Sequence, residues 1–453
     1  MRKLMICTAS LLISAAPLAQ AAPAAAPAKL VIPALHYDQS HLANGLQVLT
    51  IEDHSSPTVA VQVWYHVGSK DDPAQRSGFA HLFEHLMFKS TKNLAAEQFD
   101  RLTEDVGGSN NASTSDDVTN YLDIIPSNYL ETLLWAEAER MKNLTVDEAN
   151  FKSERAVVEE EYRQRILAPP YGRLEYALQK NSYTVHPYMR PTIGSIEDLE
   201  AASVDDVVQF HKTFYRPDNA TLIVVGDYEP HKLKAWLAKY FDPIAKPDAP
   251  IPRVDVVEPK RTEDRRIVEK APNVPLPALG ISWLAPPAKS ADATALKVAS
   301  AILGGGASSR LHQALVYRKQ LAQEAAFDFN DTADQGLLVA TVVLASGRSS
   351  ADAEKALLEE INRMQKTKVS DAELDKAKTQ LLTQALIQRE TNEGKAADLG
   401  SAVILTGDVA DANRSLDALQ AVTAADIQRV LKTYVTDAHR VTIEYVAESG
   451  ASK

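Results

Sequence analysis

The chain has 453 residues, of which 45% are hydrophobic and 24% charged, and its formal net charge is −12. These values are typical of a globular protein with a large core, and the length suggests two to four domains. The acidic balance argues against nucleic acid as a partner. The single cysteine, Cys7, lies close to the N-terminus. We therefore expect neither disulfides nor thiolate metal ligands in the folded protein.

Residues 1–21 are typical of a secretory signal peptide. Arg2 and Lys3 precede an apolar run that ends at Leu18, and Ala19-Gln20-Ala21 follows as an A-x-A cleavage site. The apolar run is short for a membrane span. We therefore expect cleavage near Ala21, a periplasmic location and no membrane span in the mature chain, with an uncleaved anchor as the alternative. Residues 22–35, which begin as an Ala/Pro tract, are expected to form a flexible leader.

The pattern along the chain predicts both strands and helices. Asn44-Gly45 indicates a hairpin, and the alternating, β-branched run Thr58–Val67 indicates a strand. A helix with Ser77 as its N-cap follows. Further helices are predicted over residues 95–106, 128–141 and 146–166, and an extended segment over residues 110–125.

The composition changes at residues 243–265, where five prolines fall without a clear period. Such a stretch is typical of a linker, here between residues 36–242 and 266–448. At an offset of 220, residues 196–228 resemble the segment that begins at Leu416. Both segments contain a capping sequence, then a helix and a strand. The sequence therefore predicts two repeated halves, of which only the first has a metal motif, and convergent helix–strand order is the alternative explanation of the likeness.

That motif is His81-Leu82-Phe83-Glu84-His85, in the helix predicted after Ser77. Histidines four apart lie on one face of a helix, one turn apart, so both imidazoles can reach one ion. Glu84 borders the same site. This inverted H-x-x-E-H order is a signature of hydrolytic zinc sites. A surface helix with two unrelated histidines is the alternative, and a third ligand would decide between them.

The third ligand must come from another element, and the acidic helix predicted over residues 146–166 offers candidates. Glu154 and Glu161 are seven residues apart, which places them on the same helix face. Their spacing does not choose between them, and a solvated acidic face is the alternative.

Seven stretches in order resemble the pitrilysin family of zinc metallopeptidases, in particular its bacterial branch similar to the mitochondrial processing peptidase. They are SGFAHLFEHLMFKST, NASTSDDVTNYLDIIP, EAERM, ERAVVEEEYR, HPYMRPTIGSIEDL, FYRPDNATLIVVGD and ILGGGASSRL. The likeness runs from about Leu42 to Val446. It implies an α+β fold of two homologous α/β domains, each an antiparallel sheet packed with helices. It also implies that two such two-domain units close into a chamber around the active site.

The resemblance also implies roles at the metal motif. His81 and His85 match the zinc histidines of the family, and Glu161 matches its glutamate ligand, so one zinc ion per chain is expected. Glu84 matches the general base, and Glu154 matches a second, supporting carboxylate near the metal.

Four positions concern the substrate and a partner. Asn111 and Ala112 match an edge strand on which a peptide adds as an extra strand; for Asn111, a turn residue is the alternative. Arg310 matches an arginine that holds substrate carbonyls, but Gln323 stands where the accompanying tyrosine is expected. We therefore expect a heterodimer with a homologous zinc-less subunit that supplies an Arg/Tyr pair. A homodimer in which Gln323 serves is the alternative.

The sequence thus predicts a periplasmic zinc-dependent endopeptidase that hydrolyses unfolded peptides or oligopeptides. In this interpretation Glu84 takes the proton of the attacking water and returns it to the leaving amine. A non-catalytic assembly subunit and a metal- or peptide-binding protein without turnover are the alternatives. The sequence does not show whether His186 or Tyr188 does more than pack, although a lone histidine such as His186 is more often structural.

Overall fold

The computed structural model of the chain describes residues 32–436 and 439–448. The predicted signal peptide 1–21 and the first ten residues of the predicted leader lie outside the described residues. The strands of the first sheet are β1 (Asp38–His41), β2 (Gln47–Glu52), β3 (Thr58–Tyr65), β4 (Ser109–Thr114), β5 (Thr119–Pro126) and β6 (Ala220–Gly226). Those of the second sheet are β7 (Arg265–Ala271), β8 (Ala278–Leu284), β9 (Ala322–Asn330), β10 (Leu337–Leu344) and β11 (Val441–Ala447).

Helices before residue 242 are α1 (Phe79–Leu86), α2 (Gln98–Glu104), α3 (Leu130–Asn143), α4 (Glu148–Tyr162), α5 (Gly172–Ser182), α6 (Ile196–Glu200), α7 (Val204–Phe214) and α8 (Pro230–Tyr240). Those after it are α9 (Ala293–Gly304), α10 (Ser350–Lys366), α11 (Asp371–Gln388), α12 (Asn392–Thr406), α13 (Asp411–Ala421) and α14 (Ala424–Tyr434). Within the described ranges, the helices lack the length and apolarity that a membrane span requires.

The two sheets have the same topology apart from the extra strand β1. Their orders are β1-β2-β6-β3-β5-β4 and β7-β11-β8-β10-β9. Paired strands are antiparallel except β2 with β6 and β7 with β11, which are parallel because the helical part of each half lies between them in the chain. The prediction of an α+β fold with two similar α/β domains is confirmed, with one parallel pair in each sheet.

The predicted repeat is visible in the last helix and strand of each half. Helix α7 begins with a capping box of Ser203 and Asp206, and α14 begins with one of Thr423 and Asp426. Each helix leads into a strand, β6 or β11, that is paired on both sides within its sheet. The predicted capping sequences are therefore confirmed.

One helix from each half packs on the sheet of the other half. Helix α12 packs on β3 and β6, so closely that a Cβ on Gly400 would lie 2.2 Å from a ring atom of Trp64. Helix α5 packs on β8 and β11, and a Cβ on Gly280 would lie 2.7 Å from the Leu178 side chain. The halves therefore share their cores rather than folding as separate units.

The predicted linker holds no helix or strand between residues 242 and 264, all of which the structure describes. It is nevertheless fixed, because the buried carboxylate of Glu258 accepts the backbone N–H groups of Thr184, Val185 and His186 at 2.7–3.0 Å. At the described end of the predicted leader, Leu35 is buried and its N–H donates to Asn413. The leader is therefore anchored at that point.

Several element boundaries differ from the prediction. The motif helix begins at Phe79 with Gly78 as its N-cap, while the predicted cap, Ser77, bonds to Asp198 instead. The extended segment 110–125 is two strands joined by a turn. The helix predicted over 146–166 ends as an α-helix at Tyr162 and continues as a π-helical turn.

Candidate metal centre

Helix α1, which carries the histidine motif, is held at its start by a buried carboxylate. The two oxygens of Asp72 accept the N–H groups of Gly78 at 2.7 Å and Ala80 at 2.8 Å. Burial raises the pKa of Asp72 to about 7, against the effect of these two hydrogen bonds. Gly78 has φ of 92°, and a Cβ there would lie 2.8 Å from the carbonyl oxygen of Ile193. Only glycine suits this position, which fixes the direction of the helix.

Helices α1 and α4 bring three ligand atoms together. Nε2 of His81 lies 3.5 Å from Oε2 of Glu161, and Nε2 of His85 lies 3.3 Å from the same oxygen. The ligand atoms of the three residues all lie within 4.8 Å of one another. Ligands of a tetrahedral zinc ion lie about 3.4 Å apart, so this spacing fits zinc. Of the two candidate carboxylates, the structure places Glu161 in this set.

The two histidines differ in charge when no metal is bound. Burial and the neighbouring His85 lower the pKa of His81 to about 4. Burial also acts to lower the pKa of His85, but hydrogen bonds with Glu154 and Glu161 outweigh it and raise the pKa to about 9. At neutral pH the metal-free centre therefore holds a neutral His81 and a protonated His85.

This difference predicts that zinc binding at pH 7 releases about one proton, from His85. A zinc ligand must be a neutral imidazole, which His81 already is. Apparent zinc affinity should therefore rise about tenfold per pH unit as the pH increases towards the pKa of His85. Titration calorimetry in two buffers of different ionisation enthalpy measures the released protons. Equal heats in both buffers would contradict the assignment.

Glu154 lies beside the ligand set and not within it. Its Oε2 is 3.6 Å from Nδ1 of His85, and its Oε1 accepts Nζ of Lys89 at 2.9 Å. Burial acts to raise the pKa of Glu154, but these two partners lower it overall. Glu154 therefore faces His85 as an anion and orients the imidazole so that Nε2 points at Glu161.

Glu161 lies at the end of α4, where the chain changes its helical geometry. The hydrogen bond with His85 lowers the pKa of Glu161, and Nη1 of Arg165 lies 2.8 Å from the oxygen Oε1. Arg165 belongs to the π-helical turn Arg163–Leu167. Such turns occur often at functional sites, and this one supplies the cation that holds the outer oxygen of Glu161.

Glu84 borders the same centre and contacts the edge of the first sheet. Its Oε2 accepts the hydroxyl of Thr114, the last residue of β4, at 2.5 Å. Burial raises the pKa of Glu84, although the hydrogen bond from Thr114 acts in the opposite direction. A carboxylate with a raised pKa beside a metal centre is suited to accept and return a proton.

Strand β4 lies at the edge of the sheet and pairs only with β5 on its inner side. The N–H of Ser115 donates a hydrogen bond to the carbonyl of Val118 at the turn. Because hydrogen-bonded and non-hydrogen-bonded residue pairs alternate along antiparallel strands, Ala112 directs its N–H and C=O outwards, away from β5. Within the described part of the chain, that N–H has no partner on a neighbouring strand and donates to Oδ1 of Asn111 at 2.9 Å. Asn111 and Ala112, the two residues predicted to bind substrate by strand addition, thus lie on an open edge, and Asn111 lies within the strand rather than in a turn.

The predicted substrate arginine, Arg310, is held by a carboxylate of its own half. Its Nε and Nη2 donate to the two oxygens of Glu373 at 2.8 and 2.9 Å. The pair lines a cavity of about 290 Å³ whose other lining residues are Ser308, Ser309, Gln313, Arg318, Glu360 and Arg363. The structure therefore does not bring Arg310 to the metal centre of its own chain. Gln323 is exposed on β9, the edge strand of the second sheet.

Three site residues were missed by the sequence reasoning. Lys89 follows His85 by four residues but lies beyond the end of α1 at Leu86, so helix periodicity alone does not place it. Thr114 is two residues after Ala112, so strand alternation alone places both on one side. Asp72 has no local signal, because it meets the start of α1 through a loop.

Two family models match the chain in order. The one described as insulinase (peptidase family M16) matches residues 47–195, which contain the metal centre. The one described as the peptidase M16 inactive domain matches residues 201–381.

Relatives match over most of the chain. The zinc protease PqqE of Helicobacter pylori is 32% identical over 407 residues, 89% of this chain and 91% of that protein. A probable mitochondrial-processing peptidase subunit beta of Arabidopsis thaliana is 24% identical, over 87% of this chain and 76% of its own length.

Solved structures share the fold. A protease from Helicobacter pylori matches with a TM-score of 0.87 and 30% identity, over 90% of this chain and 99% of that one. The periplasmic protease PqqL from Escherichia coli matches with a TM-score of 0.74 and 19% identity, over 92% of this chain but only 49% of that one. The fold is that of the two-domain zinc proteases. The chain belongs to peptidase family M16, which confirms the resemblance to the pitrilysin family.

Proposed function

We propose that the chain is a zinc-dependent endopeptidase, with His81, His85 and Glu161 as the ligands of one zinc ion. The observation that carries the proposal is the convergence of these three ligand atoms, within 4.8 Å of one another, beside Glu84. Zinc bound there would supply Lewis acidity for the peptide carbonyl. Relatives named zinc proteases support the choice of metal and of reaction.

The side chains around the centre would transfer the proton and position the reacting groups. Glu84 takes a proton from the attacking water and returns it to the leaving amine. Thr114 holds one oxygen of Glu84 in place through its hydroxyl. Glu154, itself held by Lys89, orients His85.

The substrate in this proposal is an unfolded peptide that adds to β4 as an extra strand. Its main chain would bond the outward N–H and C=O of Ala112, and would displace the side chain of Asn111 from that N–H. Because β4 ends at Thr114, beside Glu84, a peptide on this edge passes the metal centre. A segment must be extended and have unpaired main-chain groups to add in this way, so this mode of binding favours unfolded peptides.

We further propose that the chain is the zinc-bearing subunit of a heterodimer. Arg310 is occupied by Glu373, and Gln323 stands in place of the family tyrosine, so this chain lacks a complete substrate clamp. A homologous partner would supply the Arg/Tyr pair. The length of PqqL, of which this chain matches about half, supports a need for two such units. Co-purification of an Arg/Tyr-bearing chain would support the heterodimer, whereas full activity of the chain alone would favour the homodimer.

The proposed location is the periplasm. The signal-like residues 1–21 support it, as does the fold shared with a protease described as periplasmic. Cell fractionation, with N-terminal sequencing of the exported chain, tests both the compartment and cleavage near Ala21.

The ligand assignment predicts an ordered loss of zinc affinity. Glu154→Gln should weaken zinc binding by about ten- to a hundredfold, the usual effect of losing an outer partner. Glu161→Gln removes a ligand and should weaken it further. Glu160→Gln is the matched control, because that side chain is 55% exposed against 17% for Glu161. Competition with a chromophoric chelator measures all three. A larger loss in Glu154→Gln than in Glu161→Gln would reverse the two roles.

The enzyme assignment is tested on the mature chain, alone and with its co-purified partner. Zinc content and cleavage of an unfolded reporter peptide are measured on the same preparation. Zinc-loaded protein that cleaves nothing in either form would refute the peptidase and favour a peptide-binding subunit without turnover.

A further inference from the structure

The two halves of the chain meet at a buried carboxylate, Asp117, in the turn between β4 and β5. One oxygen accepts Nζ of Lys70 at 2.6 Å and the hydroxyl of Tyr188 at 2.6 Å. The other accepts the N–H of Ala333 at 2.9 Å. Ala333 belongs to the turn between β9 and β10 of the second sheet. Because the Asp117 side chain is only 4% exposed, these three bonds are made largely out of water.

A second residue of the β9–β10 turn reinforces this contact. The N–H of Asp334 donates to the hydroxyl of Tyr188 at 3.1 Å. The Asp334 carboxylate lies 3.6 Å from Nζ of Lys70 and 3.6 Å from Nε2 of His186. We call Lys70, Asp117, His186, Tyr188, Ala333 and Asp334 the interdomain joint. The joint gives His186 and Tyr188 a role that the sequence did not reveal.

The turn between β4 and β5, which contains Asp117, leads directly to the metal centre. It comprises Ser115 to Val118, and Thr114 immediately precedes it. Thr114 is paired with Thr119 across the hairpin and holds Glu84 through its hydroxyl. A shift of the turn would therefore move the hydroxyl that positions Glu84.

We propose that Asp117 is a positioning residue for peptide hydrolysis. Through it, the second half of the chain, which carries no histidine motif, fixes the hairpin turn and thereby the contact of Thr114 with Glu84. The proposal rests on the proposed function of the centre. It assigns to the second half an effect on catalysis within the same chain, beyond any part in enclosing substrate.

The test begins with Asp117→Asn in the mature chain. If the amide oxygen of the asparagine faces Lys70 and Tyr188, its N–H₂ group faces the N–H of Ala333. That N–H then has no acceptor. Lys70, which is 17% exposed, also loses the nearer of its two carboxylate partners and keeps only Asp334, at 3.6 Å. We expect kcat to fall by about ten- to a hundredfold, the usual effect of a small displacement at a catalytic group. Zinc affinity and KM should change little, because the ligands and the outward edge at Ala112 are not touched.

Asp116→Asn is the matched control in the same turn. Oδ1 of Asp116 accepts Ser69 and Gln179 at 3.0 and 2.9 Å, both in the first half, and an asparagine can accept both. Hydrogen exchange followed by mass spectrometry gives a readout that does not depend on activity. Amides of residues 113–118 should exchange faster in Asp117→Asn than in Asp116→Asn.

Tyr188→Phe still tests the proposal if the Asp117→Asn protein fails to fold. It removes the hydroxyl between Asp117 and the N–H of Asp334 but keeps the ring, and should cause a smaller loss of kcat with faster exchange of the same amides. Wild-type kcat in a folded Asp117→Asn protein, or an equal loss in Asp116→Asn, would overturn the proposal. If zinc-loaded wild-type protein cleaves no peptide, the proposed function fails and the catalytic part of this inference with it. The exchange measurement still decides whether Asp117 holds the hairpin.

Discussion

Replacing Glu84 by Gln is expected to lower kcat for peptide hydrolysis by about 10²–10⁴-fold while zinc remains bound. Glutamine keeps the size of the side chain and can still accept the hydroxyl of Thr114. It cannot take a proton from water at neutral pH. A loss of 10⁴ corresponds to about 5 kcal/mol of transition-state stabilisation.

This variant separates proton transfer from metal binding. The three ligand atoms belong to His81, His85 and Glu161, so Glu84→Gln leaves the set complete. Zinc content and kcat should therefore diverge in Glu84→Gln and fall together in Glu161→Gln. Parallel measurement of both quantities, with Glu160→Gln as the exposed control, tests the difference. Full activity in Glu84→Gln would show that another group, with Glu154 the nearest carboxylate to examine, carries the proton.

The candidate site was predictable where one element determines it. The spacing of His81 and His85 alone places both on one face of a helix, and the structure confirms that they converge. The third ligand was not predictable from spacing, because Glu154 and Glu161 share a face about 10 Å apart along α4. Which of them reaches the histidines depends on where α1 crosses α4. That crossing is a tertiary contact, and only the resemblance to a family indicated it.

The fold, like the site, was not predictable where it depends on tertiary contacts. Strands β4 and β5 are predicted as one extended segment because the turn Ser115–Val118 contains neither Gly nor Pro, although its serine and two aspartates are turn-forming residues that could have indicated it. That turn is held by bonds from distant residues, among them Lys70 and Ala333. The exchange of α5 and α12 between the sheets also left no local signal, since an apolar helix face does not specify which sheet it covers.

Arg140, in the stretch EAERM, shows how a motif known only by resemblance acquires a physical role. Its guanidinium is 1% exposed, and Nε donates to Glu137 at 2.9 Å. It lies 4.1 Å from the ring centre of Phe99 and 4.4 Å from that of Tyr121. Burial, and then the charge of Glu137, raise the pKa of the neighbouring Asp123 well above its usual range. Arg140 and Glu137 therefore form a buried ion pair beneath the β4–β5 hairpin.

Arg140→Met is expected to lower the free energy of unfolding by about 3–5 kcal/mol, because it leaves the fully buried carboxylate of Glu137 without its counter-charge. The double variant Glu137→Leu/Arg140→Met removes both charges and should lose less than Arg140→Met alone. Urea unfolding of the wild-type, single and double variants measures the coupling between the two positions. If the two single losses simply add in the double variant, the ion pair contributes nothing. The packing of Arg140 between Phe99 and Tyr121 would then account for the effect.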